Sequence, residues 1–317
     1  LQVNFLIFSI KKIPFFLLLG LTLAITACGQ STASKPLSTT NRLNSGGLLT
    51  APNTLSTTNH LNADYAAFTY ENVDFKIVSV AQQSSFDDDS TTGAASIVRI
   101  GVKESNEANT SVYIPYSDAF LLILPDGDTI PASAEETPGT INQNIATDNW
   151  IDFPLNDQQD LNKLVLRVGT ADEHQMNIPL VNYPNVSTYQ SKTTTPEDKF
   201  QYGGVDWTVT KVTASLSANG QQADAGMRYI AVELSAHNTG SSPFYPQPDN
   251  NIRLKSQDAL QSPTDSTLPL AIAADPRGDI GIIYFLMPER DTQLTLDFLA
   301  QPYSHIPEAS TSFQVPV

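Results

Sequence analysis

Thirteen residues of this chain are written twice. Phe68–Val80 and Phe200–Val212 both read Phe, any residue, Tyr, two residues, Val-Asp-aromatic, an aliphatic residue two places on, and Val after three more. Every matched position is separated by the same 132 residues, from Phe68/Phe200 to Val80/Val212. A constant offset of this kind is the mark of a duplicated unit, and it fixes the architecture before any motif is considered. A length of 317 residues suits about two domains, and 40% apolar content gives each copy enough material for a core of its own.

Beyond the duplicated stretch the apolar residues alternate, as in strands with one buried face. Val98, Ile100 and Val102 share one face, with Arg99, Gly101 and Lys103 on the other. Their counterparts are Ile230, Val232 and Leu234 against Ala231, Glu233 and Ser235. These strands are predicted to end at Asn106 and Asn238, the latter opening the turn Asn238-Thr239-Gly240. Tyr113-Ile114-Pro115 then aligns with Phe244-Tyr245-Pro246, Asp118 with Asp249, and Leu121/Ile123 with Ile252/Leu254, at an offset of 131 that implies one residue lost in a loop. Asp126-Gly127 supplies the positive φ of a tight hairpin. Gln257-Asp258 is the weaker turn of the second copy, and Gly203-Gly204 reads as a turn into Val205. Ile151/Phe153 match Ile283/Phe285, and Leu164/Leu166 match Leu294/Leu296. Met176–Leu180 aligns with Phe313–Val317, so the second copy is expected to close where the first does. Pro179 and Pro316 place these closing strands at sheet edges, where a missing N–H does no harm.

About seven short strands per copy, without a sustained helical period, predict an all-β chain of two tandem immunoglobulin-like antiparallel β-sandwiches. The expected segments are a leader (1–27), a tether (28–64), sandwich one (65–182), a linker (183–199) and sandwich two (200–317). The linker holds Pro184 and Ser191-Lys192-Thr193-Thr194-Thr195-Pro196 and reads as moderately stiff.

The order of an aromatic-rich first strand, an aliphatic strand ending in Asn-Thr-Gly, a Pro-Asp-led third strand and a late aliphatic-x-Phe strand resembles the DUF4352 group. These are telokin-like, immunoglobulin-like domains of exported bacterial lipoproteins. The resemblance covers both repeats. It implies the fold and an extracytoplasmic location, and it brings no catalytic residues to positions of this chain.

The N-terminus agrees with export. Lys11 and Lys12 precede the apolar run Ile13–Ile25, and Thr26-Ala27 lead into Cys28. The run is short for a membrane span. Ile25-Thr26-Ala27-Cys28 resembles a lipobox, so Cys28 is the expected lipidation site and the membrane an expected partner through acyl chains. Gly29–Asp64 carries 17 Ser, Thr or Asn in 36 residues and no aromatic residue, which predicts a disordered tether.

Charge narrows the function. The chain carries net −16, a balance that repels nucleic acid. Residues 65–182 hold 18 acids against 5 bases and residues 200–317 hold 12 against 6, so the copies have diverged on their surfaces. A single cysteine excludes an intramolecular disulfide and a Cys-x-x-Cys pair. His60, His174, His237 and His305 fall in no metal-binding spacing, and the chain has no nucleophile elbow or phosphate-cradling glycine loop. Asp87-Asp88-Asp89 and Asp126-Gly127-Asp128 offer oxygen ligands that calcium prefers, although neither fits the twelve-residue calcium loop and both also read as a solvated loop and a hairpin turn. Trp150 and Trp207 are expected in the cores. No cofactor and no catalytic residue are expected. The reading is a lipid-anchored binding or structural module at the cell envelope, facing an envelope protein or another surface partner. A solute-binding or calcium-dependent component, or an enzyme with an unrecognised site, is the alternative.

Overall fold

The computed structural model describes residues 57–60, 66–88, 93–106, 108, 110–137, 139–180, 185–275 and 277–316. Cys28, the leader, most of the tether and Asp89 lie outside them. The first copy comprises β1 (Thr57–His60), β2 (Ala66–Tyr70), β3 (Val73–Gln83), β4 (Ser96–Asn106), β5 (Val112–Tyr113), α1 (Tyr116–Ala119), β6 (Phe120–Ile123), β7 (Thr129–Pro131), β8 (Ala134–Glu135), β9 (Thr140–Ile141), β10 (Ala146–Leu155), β11 (Val165–Val168) and β12 (Met176–Pro179). The second comprises β13 (Lys192–Thr194), β14 (Asp198–Tyr202), β15 (Val205–Ser215), β16 (Ser217–Ala218), β17 (Gln221–Gln222), β18 (Met227–Asn238), α2 (Pro248–Asn251), β19 (Ile252–Lys255), β20 (Leu260–Gln261), β21 (Asp265–Ser266), β22 (Asp279–Pro288), β23 (Gln293–Phe298) and β24 (Ala309–Gln314).

Each copy is a sandwich of two antiparallel sheets. The first has a sheet in the order β1-β3-β4-β10-β8, with β2 also on β3, facing a sheet β12-β11-β6-β7. The second repeats the plan as β13-β15-β18-β22-β21, with β14 on β15, facing β20-β19-β23-β24. Inward residues of both sheets close one core per copy. Phe75, Ile100, Phe120 and Leu166 meet in the first, and Trp207, Val232, Ile252 and Leu296 in the second.

The 132-residue offset extends to backbone irregularities. A β-bulge falls at Val78 between Ile77 and Ser79, and another at Thr210 between Val209 and Lys211. The turn from β2 to β3 uses Glu71 and Asn72 at φ 50° and 63°, and the turn from β14 to β15 uses Gly203 and Gly204 at 62° and 77°. Two successive left-handed residues give the turn whose twist suits a two-residue hairpin.

Several sequence expectations are corrected by register. Phe120 and Leu122 are the buried residues of β6, matching Ile252 and Leu254 at offset 132, whereas Leu121 and Ile123 face outward. A one-residue slip exchanges the two faces of a strand, so the 131 alignment put the wrong pair inside. In the closing strand Leu180 hydrogen-bonds Leu164 and Phe313 lies opposite Leu294, which equates Leu180, not Met176, with Phe313. β12 and β24 are edge strands as expected, with Pro179 in the first and Pro316 beyond the second. Thr57–His60, assigned to the tether, pairs with β3, and Lys192–Thr194, assigned to the linker, pairs with β15. Ladder hydrogen bonds come from backbone groups, so polar segments without core residues join an open edge.

The copies share a built joint. Leu216, beyond the end of β15, is buried in the core cluster of the first sandwich. The following β16–β17 hairpin brings the Gly220 amide to Asn72 Oδ1 at 2.7 Å. His174 N–H donates to the Ala223 carbonyl at 2.7 Å, Gln222 Nε2 donates to the His174 carbonyl at 3.1 Å, and Glu173 and Asp224 form a β-bridge. The connector is held too, since Val186 and Tyr189 pack on the first core before β13 joins the second sheet. No helix among the described residues is long and apolar enough to cross a membrane.

Candidate functional site

Strand alternation that buries one face leaves the other to carry chemistry. On the first sandwich two rows of outward residues cross its larger sheet. One runs Ala67, Lys76, Lys103, Asp148 and the other Thr69, Asp74, Ser105, Ala146, each residue directly opposite the next. Lys76 and Lys103 are thus cross-strand neighbours, a like-charge juxtaposition that costs stability. Lys103 Nζ lies 3.6 Å from Asp148, and Thr69 donates to Asp74 at 2.6 Å. These rows floor a cleft of about 780 Å³, closed on one side by Gln190 and Ser191 of the connector.

The cleft continues over the joint. Thr69, Asn72 and Ser191 also line a second space of about 250 Å³, whose far wall is the outer sheet face of the second sandwich. There Lys211 faces Glu233 and Ile282, and Thr213 faces Ala231 and Tyr284. Lys211 Nζ is 3.1 Å from Glu233, and Thr210 donates to the same carboxylate at 2.7 Å. Those contacts, the Thr210 hydroxyl first, hold Glu233 below the usual carboxylate range. The result is one groove spanning both sheets, floored by hydroxyls, amides and paired charges. Domain junctions are a recurrent location for such sites.

Beneath the floor the first copy holds a buried polar cluster that the second lacks. Glu104 lines the cleft, yet it is only 1% exposed and points inward. Its Oε1 accepts from Tyr116 Oη at 2.5 Å and Asn149 Nδ2 at 3.0 Å. Burial raises the Glu104 pKa, opposed by those two hydrogen bonds, and burial likewise pushes the Tyr116 phenol up. At the same offset the second copy has Ala236, Pro248 and Gly281.

The sequence candidates fall elsewhere. Trp150 is not in the core; it faces outward and stacks on the Arg99 guanidinium at 3.8 Å, with Phe86 on the guanidinium at 4.0 Å. Arg99 grips the fully buried Asp152 through two 2.8 Å bonds and reaches Asp88 at 2.7 Å. A guanidinium presents donors in its plane and its face to aromatic rings, which is why outward Trp150 is accommodated here. Asp88 is therefore engaged by Arg99, and Asp87 is exposed on the same loop. Asp126 and Asp128 sit on the exposed β6–β7 turn, where Asp126 accepts the Asp128 amide at 3.1 Å. Among the described residues no three His, Cys, Asp or Glu side chains are grouped to hold a metal ion. Trp207 is fully buried, as expected.

The groove residues escaped sequence reasoning because Lys76, Lys103 and Lys211 are ordinary outward residues until pairing sets them together. The divergent charge of the two copies was the available signal.

No family model matches the chain, and no curated protein matches it.

Proposed function

We propose that this protein is a lipid-anchored, extracytoplasmic binding module of the bacterial cell envelope, with the groove across its two sandwiches as the recognition surface. The location rests on the lipobox-like Ile25–Cys28, the charged and apolar leader, and the resemblance to lipoprotein domains. One observation carries the function. Both outer sheet faces and the connector line a single groove, and its lining differs between copies that otherwise repeat down to their bulges.

A groove of this length with mixed charge and many hydroxyls suits an extended polar segment of a surface partner. Binding rather than turnover is favoured by the orientation of Glu104, whose raised-pKa carboxyl is directed at Tyr116 and Asn149 beneath the floor. Binding should weaken with salt, because exposed charges are screened over about 8 Å at physiological ionic strength.

Two measurements test this. Cys28→Ser should abolish fatty-acid labelling and release the protein from membranes; persistent labelling and sedimentation would refute the anchor. A photo-crosslinking side chain at Thr69, Ser105 or Thr213 should trap a discrete partner in cells, whereas one at exposed Lys163 should not. Equal crosslinking from Lys163 and from the groove would refute the recognition surface.

A further inference from the structure

The joint that forms the groove is rich in carboxylates, and one of them sits where the backbone disfavours it. Glu71 adopts φ 50°, a conformation for which the second copy supplies Gly203. A non-glycine residue there carries strain and persists where neighbouring structure holds it. The next residue, Asn72, supplies the hold by accepting the Gly220 amide of the second sandwich.

The surrounding groups come from every element at the joint. From the same hairpin, Tyr70 Oη donates to Glu173 Oε2 at 2.9 Å. From the β11–β12 turn, Glu173 also accepts the Thr170 amide at 2.8 Å, the Asp172 carbonyl accepts the Ala225 amide, and His174 Nδ1 stands 3.7 Å from Glu289. The second sandwich contributes Asp224, bridged to Glu173, then Tyr229, Arg228 and Glu289. Burial first, and the charge of Glu173 second, push Glu71 up to about 7.

We propose that this joint is a proton-responsive coupling that regulates the groove: a protonated Glu71 lets the two sandwiches seat firmly, and its ionisation against Glu173 loosens them and widens the groove. Regulation of binding rests on the groove reading above; the coupling itself does not. A carboxyl whose pKa is raised in the seated state binds its proton more tightly there. Its stabilisation is full below the ordinary glutamate range and is lost as pH rises through about 7. Thr69, Asn72 and Ser191 line both parts of the groove at this point, so movement at the joint changes its width.

The test uses the full chain carrying Cys28→Ser, with Lys163→Cys and Leu260→Cys labelled for energy transfer between the sandwiches. From pH 5 to pH 8 the label distance should change with a midpoint near neutrality, and the melting temperature should fall by about 3–6 °C. Glu71→Gln, which is permanently uncharged, and Glu71→Gly, which also relieves the strain, should both flatten these profiles. Asp118→Asn, an exposed change of equal charge, should leave them intact. A wild-type profile that Glu71→Gln reproduces would overturn the coupling. If the profile depends on Glu71 while groove crosslinking is no stronger than at Lys163, the groove reading fails and the coupling stands. Strong groove crosslinking with a profile indifferent to Glu71 gives the reverse.

Discussion

Asn106 and Asn238 show how one side chain can hold an end of this fold. Asn238 Nδ2 donates to the carbonyls of Ser242 and Ile272 at 2.9 Å each, and its Oδ1 accepts the Gly240 amide at 2.9 Å. Asn106 does the same with Thr110, Ile141 and Ala108. Each asparagine ties a strand end to a segment more than thirty residues away. Asn238→Ala leaves carbonyls without a partner in a buried setting, and it should cost about 2–4 kcal/mol by chemical denaturation. Arg99 is the second such residue. Arg99→Met keeps much of its bulk but abandons the buried Asp152 carboxylate, and it should cost about 3–5 kcal/mol, with much of the loss recovered when Asp152→Asn is added. The sequence marked both asparagines as strand ends, because a turn follows each. Their bracing role was hidden, since their partners lie across a long loop. Trp150 was misplaced for a related reason: an aromatic residue on an outer face looks like a core residue until the cation it covers is known.

At the scale of elements, most of the fold was legible because β-strands write their burial as alternation. Val98–Val102 and Ile230–Leu234 face inward as their pattern required. Errors entered where alternation gives no register, as between Leu121 and Leu122, and where backbone alone does the pairing, as in Thr57–His60. The joint was the least visible feature. Leu216 belongs to the second copy by sequence and to the first core by packing. The corresponding loop of the first copy, around Phe86 and Asp88, folds instead onto Arg99, so one loop position serves two purposes. Gly220, at φ 74° and with Val112 3.5 Å from where its Cβ would lie, lets the hairpin approach. Leu216→Ala should therefore weaken the first sandwich by about 2–4 kcal/mol, although the substitution lies in the second. Gly220→Val should weaken the joint and leave the isolated cores packed, seen as faster hydrogen exchange in Ser217–Gln222 and Asp172–His174.

For the whole molecule, the duplication supplies two similar bodies and the joint makes them one. The outer faces became free to diverge once each core was secured, and the groove is where that divergence meets. The chain has two tryptophans, Trp150 in the first copy and Trp207 in the second, so each sandwich carries its own reporter. The decisive measurement is denaturant unfolding at pH 6 of the full chain carrying either Trp150→Phe or Trp207→Phe, with and without Leu216→Ala. A coupled body predicts coincident transitions from the two reporters, and a downward shift of both when Leu216 is truncated. Separate transitions, with Leu216→Ala moving only the one seen by Trp207, would contradict the joint and with it the groove.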